Sequence, residues 1–291
     1  MQFHISTYFK QQAAAFRLNS PFTKTYGVAR TFLAIGSLLI LLCNSSAVLF
    51  DPERFSSVYA HNLNHINLFI LIGYKHLWFS KALCIIVLLS VITGIYPQLT
   101  GFLHWWVSFS LFNVFVVKNG GDQLACILTF FLFFIAVLDK RKNHWYASLP
   151  QSESSIGIGN IILFIIKLQV FYIYLDAALG KLASKEWLDG TAMYYWVLNS
   201  EFGTSGFLLN LIKPVVMNRA GVAILTWGTI VFELLLCAGI LFKPKARFWL
   251  MIAGIFFHFL IFIFLGLGSF FFAMTGSLVL YLYPGQKNKL T

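Results

Sequence analysis

The sequence predicts an all-α polytopic membrane protein, a bundle of about eight transmembrane helices with both termini cytoplasmic. Three observations lead there. Of 291 residues, 59% are hydrophobic and 11% charged, against about 25% charged in a soluble domain. Mean hydropathy is +0.78, with Phe the chief filler at 32 copies. Apolar runs near the ~20 residues needed to cross a ~30 Å hydrocarbon layer recur along the chain, and Lys and Arg collect in alternate joints between them.

Taken in order, residues 1–28 mix Phe3, Tyr8, Phe9 and Phe16 with Lys10, Gln11, Gln12 and Arg17. That pattern predicts an amphipathic interfacial segment ending at Pro21. Residues 29–285 then form the transmembrane domain, with spans expected at 29–50, 80–97, 101–118, 122–138, 157–182, 220–242, 247–266 and 268–284. The joints Pro97–Gly101, Lys118–Asp122 and Gly266–Ser269 are so short that they force antiparallel neighbours. Two longer loops, 51–79 and 183–219, hold mixed charge, His and aromatics; short interfacial helices are expected around Leu63–Gly73 and Trp187–Leu198.

Orientation follows from the basic residues. Lys10, Arg17, Lys24 and Arg30 precede or open the first span; Asp139-Lys-Arg-Lys142 follows the fourth; Lys243, Lys245 and Arg247 follow the sixth; Lys287 and Lys289 follow the last. An even number of spans puts them all on one side, which the positive-inside rule makes the cytoplasm. The net charge of +11 is accounted for by this pattern, and no nucleic-acid partner is expected. The first apolar run begins about 30 residues in, with no small-residue cleavage site after it, so no cleaved signal peptide is expected. Cys43, Cys84, Cys126 and Cys237 have no CxxC or metal spacing and read as packing residues, although three of them fall toward one side of the membrane. His61 and His65 lack a third ligand, so no metal site is expected.

Polar residues at membrane depth carry the functional expectation, because each costs free energy there unless it has a partner or a task. Lys181 ends a long apolar run and lies on one helical stripe with Lys167, Tyr174 and Ala178. A desolvated lysine can act as a base near neutral pH, or its ammonium can snorkel to the headgroups. Asp176, five residues earlier, points elsewhere. Lys167 and Glu233 fall at similar depth when counted from the ends of antiparallel spans, which predicts a structural ion pair. Asp122, in the turn Lys118-Asn-Gly-Gly-Asp-Gln123, either caps the next helix or faces an outer polar site. His258, in Phe256-Phe-His-Phe-Leu260, is either a packed, hydrogen-bonded histidine or a proton-transfer partner. Arg30 reads as an anchor at the start of the first span. The topology places Lys118, Asp122, Asp176, Lys181 and His258 in the outer half of the membrane. With no GxxxxGK[ST], GxSxG or HExxH, the chain gives no support for ATP-driven transport, serine hydrolysis or zinc-dependent proteolysis.

Three segments carry a family resemblance. They are Pro21-Phe-Thr-Lys-Thr-Tyr-Gly-Val-Ala-Arg-Thr-Phe-Leu-Ala-Ile-Gly36, Ala178-Leu-Gly-Lys-Leu-Ala-Ser-Lys-Glu-Trp-Leu-Asp-Gly190, and His258 followed by Gly266-Leu-Gly-Ser-Phe270. Over roughly residues 20–285 the chain resembles the sporulation-delaying protein B family, within the group that shares the horizontally transferred transmembrane (HTTM) domain. It is more distantly similar to the membrane part of vitamin K-dependent gamma-carboxylase, where the lysine falling on Lys181 is the proposed base toward a reduced quinone. The carboxylase has an Asn-His pair just before its fourth span, where the corresponding turn here reads Gly121-Asp122-Gln123, and its large lumenal domain has no counterpart in these 291 residues.

The resemblance implies a multi-pass protein of a bacterial plasma membrane. It would work with a small partner protein on a secreted peptide precursor, in maturation or export of an antimicrobial toxin. The site expected is an outer-half polar pocket of Lys181, His258, Asp122 and Asp176. Two rivals stand beside this reading: a quinone-linked, carboxylase-like membrane enzyme, and a non-catalytic scaffold or immunity factor.

Overall fold

In the computed structural model, the described residues are 19–53, 65–147, 149–200 and 202–283. Residues 1–18 of the interfacial segment expected over 1–28, His61, and the basic residues beyond 283 lie outside them. Among the described residues the secondary structure is helical, with one isolated antiparallel bridge between Ile95 and Asn143. Thirteen α-helices follow in order: α1 Lys24–Cys43, α2 Ser46–Leu49, α3 Leu68–Ile72, α4 Leu77–Thr93, α5 Pro97–Val114, α6 Gly120–Leu138, α7 Glu153–Leu182, α8 Lys185–Leu188, α9 Ala192–Val197, α10 Gly206–Met217, α11 Arg219–Ala238, α12 Pro244–Leu265 and α13 Gly268–Leu282.

A helix stands at each of the eight expected spans. Among the described residues, six segments are long and apolar enough to cross a membrane: α1, Tyr74–Thr93, α6, α7, Arg219–Leu241 and α12. α13 is shorter, at 15 residues. The first span is displaced from expectation. Thr23 caps α1 by accepting from the Tyr26 N–H, so the helix opens at Lys24, inside the segment assigned to the interface. It stops at Cys43, where the Asn44 side chain turns back to donate to Ile40 O at 3.0 Å.

The chain forms two compact units, the described parts of Met1–Ile166 and of Lys167–Pro284. In the first, α5 packs along α6 and α1 along α4. The α5–α6 seam is tight at Gly101, where an added Cβ would come within 2.4 Å of the Ala136 Cβ. The expected interfacial helix near Leu63–Gly73 is α3, and it is drawn into the core instead. Leu68 and Phe69 are buried, the Leu68 N–H donates to Ser110 Oγ at 3.0 Å, and the Phe50 ring packs at an angle against both Phe69 and Phe115. Asp122 has its capping role: Asn119 accepts from the backbone of α6's first turn while Asp122 Oδ2 accepts from the Asn119 N–H at 2.9 Å.

In the second unit α12 and α13 form a hairpin, and α9, α10 and α11 pack together. Gly266, at φ +71°, turns the hairpin in the left-handed region that favours glycine. The helix expected around Trp187–Leu198 is divided into α8 and α9 by Gly190, at φ +75°, which lies against Trp227. Large apolar side chains left on the outside, such as Phe207, Ile224 and Leu241, suit a lipid environment rather than water. Cys43, Cys84, Cys126 and Cys237 carry free thiols.

Candidate functional site

Three helices of the second unit each turn one buried stripe inward. On α7 the stripe is Val170, Tyr174 and Ala178, leading to Lys181; on α11 it is Val222, Thr226, Ile230 and Glu233; on α12 it is Leu250, Gly254 and His258. These are three- and four-residue steps, the spacing that stacks side chains on one helix face.

At the end of these stripes Lys181 meets Glu233. The ammonium nitrogen lies 2.8 Å from each carboxylate oxygen. Only Oε1 accepts a well-aligned hydrogen bond; Oε2 is buried and left able to accept another. Lys181 also donates to Ala177 O at 3.4 Å and sits 5.2 Å above the Trp187 ring, within cation–π range. The two side chains are 21% and 11% exposed, so the pair is largely withdrawn from solvent.

His258 is 2% exposed. Its Nδ1–H donates to Gly254 O at 2.7 Å, one turn back. That assignment leaves Nε2 as an acceptor in the neutral ring. Tyr174 and Phe270 pack on the imidazole, with ring centroids 6.1 and 5.6 Å away. The Tyr174 hydroxyl is enclosed. Ser277 lies in its vicinity, yet no partner meets hydrogen-bond geometry. Lys181 acts electrostatically on His258, and Glu233 on Tyr174. The arrangement therefore gathers an ion pair, a buried histidine and a phenol among aromatic rings. It offers both donors and free acceptors in a low-dielectric setting, where polar interactions gain strength.

Two sequence expectations are corrected. Glu233 pairs with Lys181 and not with Lys167. The two lysines are fourteen residues apart, about 21 Å along a helix. Counting depth from helix ends fails because α7 has 30 residues, about 45 Å, and overshoots a ~30 Å core. Lys167 instead lies within the electrostatic reach of Arg247, near the start of α12. The second correction concerns Asp176, which is exposed on another face of α7 and takes no part in the pair. Asp122 belongs to the first compact unit, as does Lys118, whose ammonium lies 4.9 Å from the Phe112 ring centre. The sequence marks Tyr174 only as a member of the Lys181 stripe, and its seven-residue spacing from Lys181 is the available signal for a site role.

The HTTM domain family matches residues 124–285, more than half the chain and all of the helices that build this site. The chain belongs to the HTTM family. Two curated relatives from Bacillus subtilis (strain 168) align over nearly its whole length. "Uncharacterized protein YitO" is 37% identical over 94% of this chain and 90% of its own. "Sporulation-delaying protein SdpB" is 34% identical over 92% of this chain and 84% of its own. The chain is thus a multi-pass membrane protein of the sporulation-delaying protein B type. No solved structure matches it.

Proposed function

We propose that this protein is a bacterial plasma-membrane component that takes part in maturation or export of a secreted antimicrobial peptide, with the Lys181–Glu233 pair at the centre of its working site. Similarity to sporulation-delaying protein SdpB along 92% of the chain supports the biological setting. The observation that carries the site is a charge pair set beside a buried His258 and an unpartnered Tyr174 hydroxyl. A pair kept only for packing needs neither companion. The partners in this reading are the lipid bilayer, a small protein of the same system and the peptide precursor, whose backbone and charged groups match the donors and acceptors on offer.

Mass spectrometry of secreted peptides from cells carrying wild type or Lys181→Ala tests this. Loss of the mature peptide, with the membrane level of the protein unchanged, is the expected result. Unaltered peptide output would defeat the reading and favour a scaffold or immunity factor. The quinone-linked reading keeps one observation in its favour. The aromatic rings of Phe257 and Phe270 flank His258, and both Tyr174 Oη and Glu233 Oε2 lack a hydrogen-bond partner. A quinone there would bring its own redox chemistry, while these residues would orient its oxygens. Lipid-soluble quinone extracted from purified wild-type protein but not from Lys181→Ala would select that alternative.

A further inference from the structure

The first unit encloses a second polar cluster that the site above does not use. Arg30 is 1% exposed, well inside α1. It donates from Nη1 to His144 Nδ1 at 3.3 Å and from Nη2 to Thr100 Oγ1 at 3.1 Å. Tyr26, one turn earlier on α1, holds its ring 5.5 Å from the guanidinium carbon. His104 lies one turn after Thr100 on α5 and is equally buried. His144 comes from the loop after α6. That loop is tied to the α4–α5 turn by His144 N–H to Gly94 O at 3.0 Å and Tyr96 N–H to Lys142 O at 2.8 Å.

The cluster carries one uncompensated positive charge. Asp139 is committed to Arg141, with contacts of 2.8 to 3.1 Å, and among the described residues no carboxylate pairs with Arg30. Because Nδ1 of His144 accepts from Arg30, its proton sits on Nε2. That Nε2 and His104 Nε2 are buried with no hydrogen-bond partner, and the Tyr26 hydroxyl, whose oxygen faces Arg30, has no acceptor for its own proton. All three groups feel the Arg30 charge. A buried cation beside two idle donors, the His144 N–H and the Tyr26 O–H, calls for an anion that accepts several hydrogen bonds, since an unpaired buried charge and orphaned polar atoms are both disfavoured. Lys140 and Lys142, exposed on the same loop, add a field that draws anions to this end of the unit.

We propose that Arg30, His144, Tyr26 and His104 form a binding site for one phosphate group. The planar guanidinium suits a phosphate, and the His144 N–H and Tyr26 O–H supply the flanking donors. The source is either a phospholipid headgroup or free phosphate. The test uses the full chain in a neutral detergent and follows thermal unfolding. Inorganic phosphate is compared with chloride at equal ionic strength, and phosphatidylglycerol with phosphatidylcholine in mixed micelles. A rise of several degrees with inorganic phosphate assigns the free anion. A rise with phosphatidylglycerol alone assigns the lipid. Either response disappears in Arg30→Met and weakens in Arg30→Lys. No phosphate-specific or phosphatidylglycerol-specific shift in wild type overturns the proposal and leaves buried water as the filler; so does a response that survives in a folded Arg30→Met. Should Arg30→Met not fold, native mass spectrometry of wild type decides: a phosphate or phospholipid adduct supports the site, and its absence overturns it.

Discussion

Neutralising Glu233 should unlock the second unit at one identifiable point. Glu233→Gln keeps the shape but leaves the Lys181 ammonium, now 2.8 Å from both carboxylate oxygens, without a counter-charge. Two unit charges about 4 Å apart interact by about 4 kcal/mol at an effective dielectric near 20, and removing one partner of a buried pair typically costs about 3–5 kcal/mol. With Lys181 21% exposed, residual hydration lowers the expectation to roughly 2–3 kcal/mol. Lys181→Met removes the cation and leaves a buried carboxylate that can take up a proton, so its cost is smaller. The double variant restores neutrality, and its stability should lie above the sum of the single effects by at least about 1.5 kcal/mol. Unfolding by sodium dodecyl sulfate in mixed micelles, read by tryptophan fluorescence, measures all four corners of the cycle. Additivity within about 0.5 kcal/mol would mean that the two charges are not coupled and would remove the basis of the site. The charge swap Lys181→Glu with Glu233→Lys adds a functional arm, since it should recover stability but not peptide output. Recovery of both would leave the pair a purely structural role.

Three further outcomes follow from the geometry. Gly101→Ala forces a methyl to 2.4 Å from the Ala136 Cβ, where neither group can rotate away; a loss of about 1–3 kcal/mol is expected on the same unfolding assay, and an unchanged midpoint would contradict the tight seam. The His144 pKa is held down at about 3 by burial and by the Arg30 and Arg141 charges, with Tyr26 and His104 also nearby. The unfolded chain binds that proton near pH 6.5, so this stabilisation is complete above about 6.5 and is lost progressively as pH falls toward 3, by a few kcal/mol in all. His144→Asn should make the acid limb shallower, and an identical pH profile would argue against the assignment. Finally, Asn119→Ala removes the side chain that accepts from the Gly121 and Asp122 N–H groups; about 1 kcal/mol should be lost, visible as earlier hydrogen exchange at the start of α6.

The helices were legible because the membrane enforces a length and an apolar composition on anything that crosses it. Runs such as Gly120–Leu138 and Pro244–Leu265 needed no tertiary information to be seen. Lys181 stood out for the same reason, as a cation at the end of an apolar stripe. Its partner was misassigned because residue counting assumes that a helix ends at the membrane face, and α7 does not. The Arg30 cluster was missed altogether. Arg30 looked like an anchor because its burial depends on Thr100 and His144, which are 70 and 114 residues away. A signal was present in hindsight: Tyr26 with Arg30, and Thr100 with His104, are each four apart on one helix face.

Composition and the spacing of charges alone determined that this chain is helical and embedded in a membrane, since the cost of an unpaired backbone group in lipid allows little else. Its kinship was written in local segments and could be read there too. Which acid faces which base was decided only by tertiary structure, because a shift of a few residues between neighbouring helices changes every cross-helix pair while leaving each helix's own pattern intact.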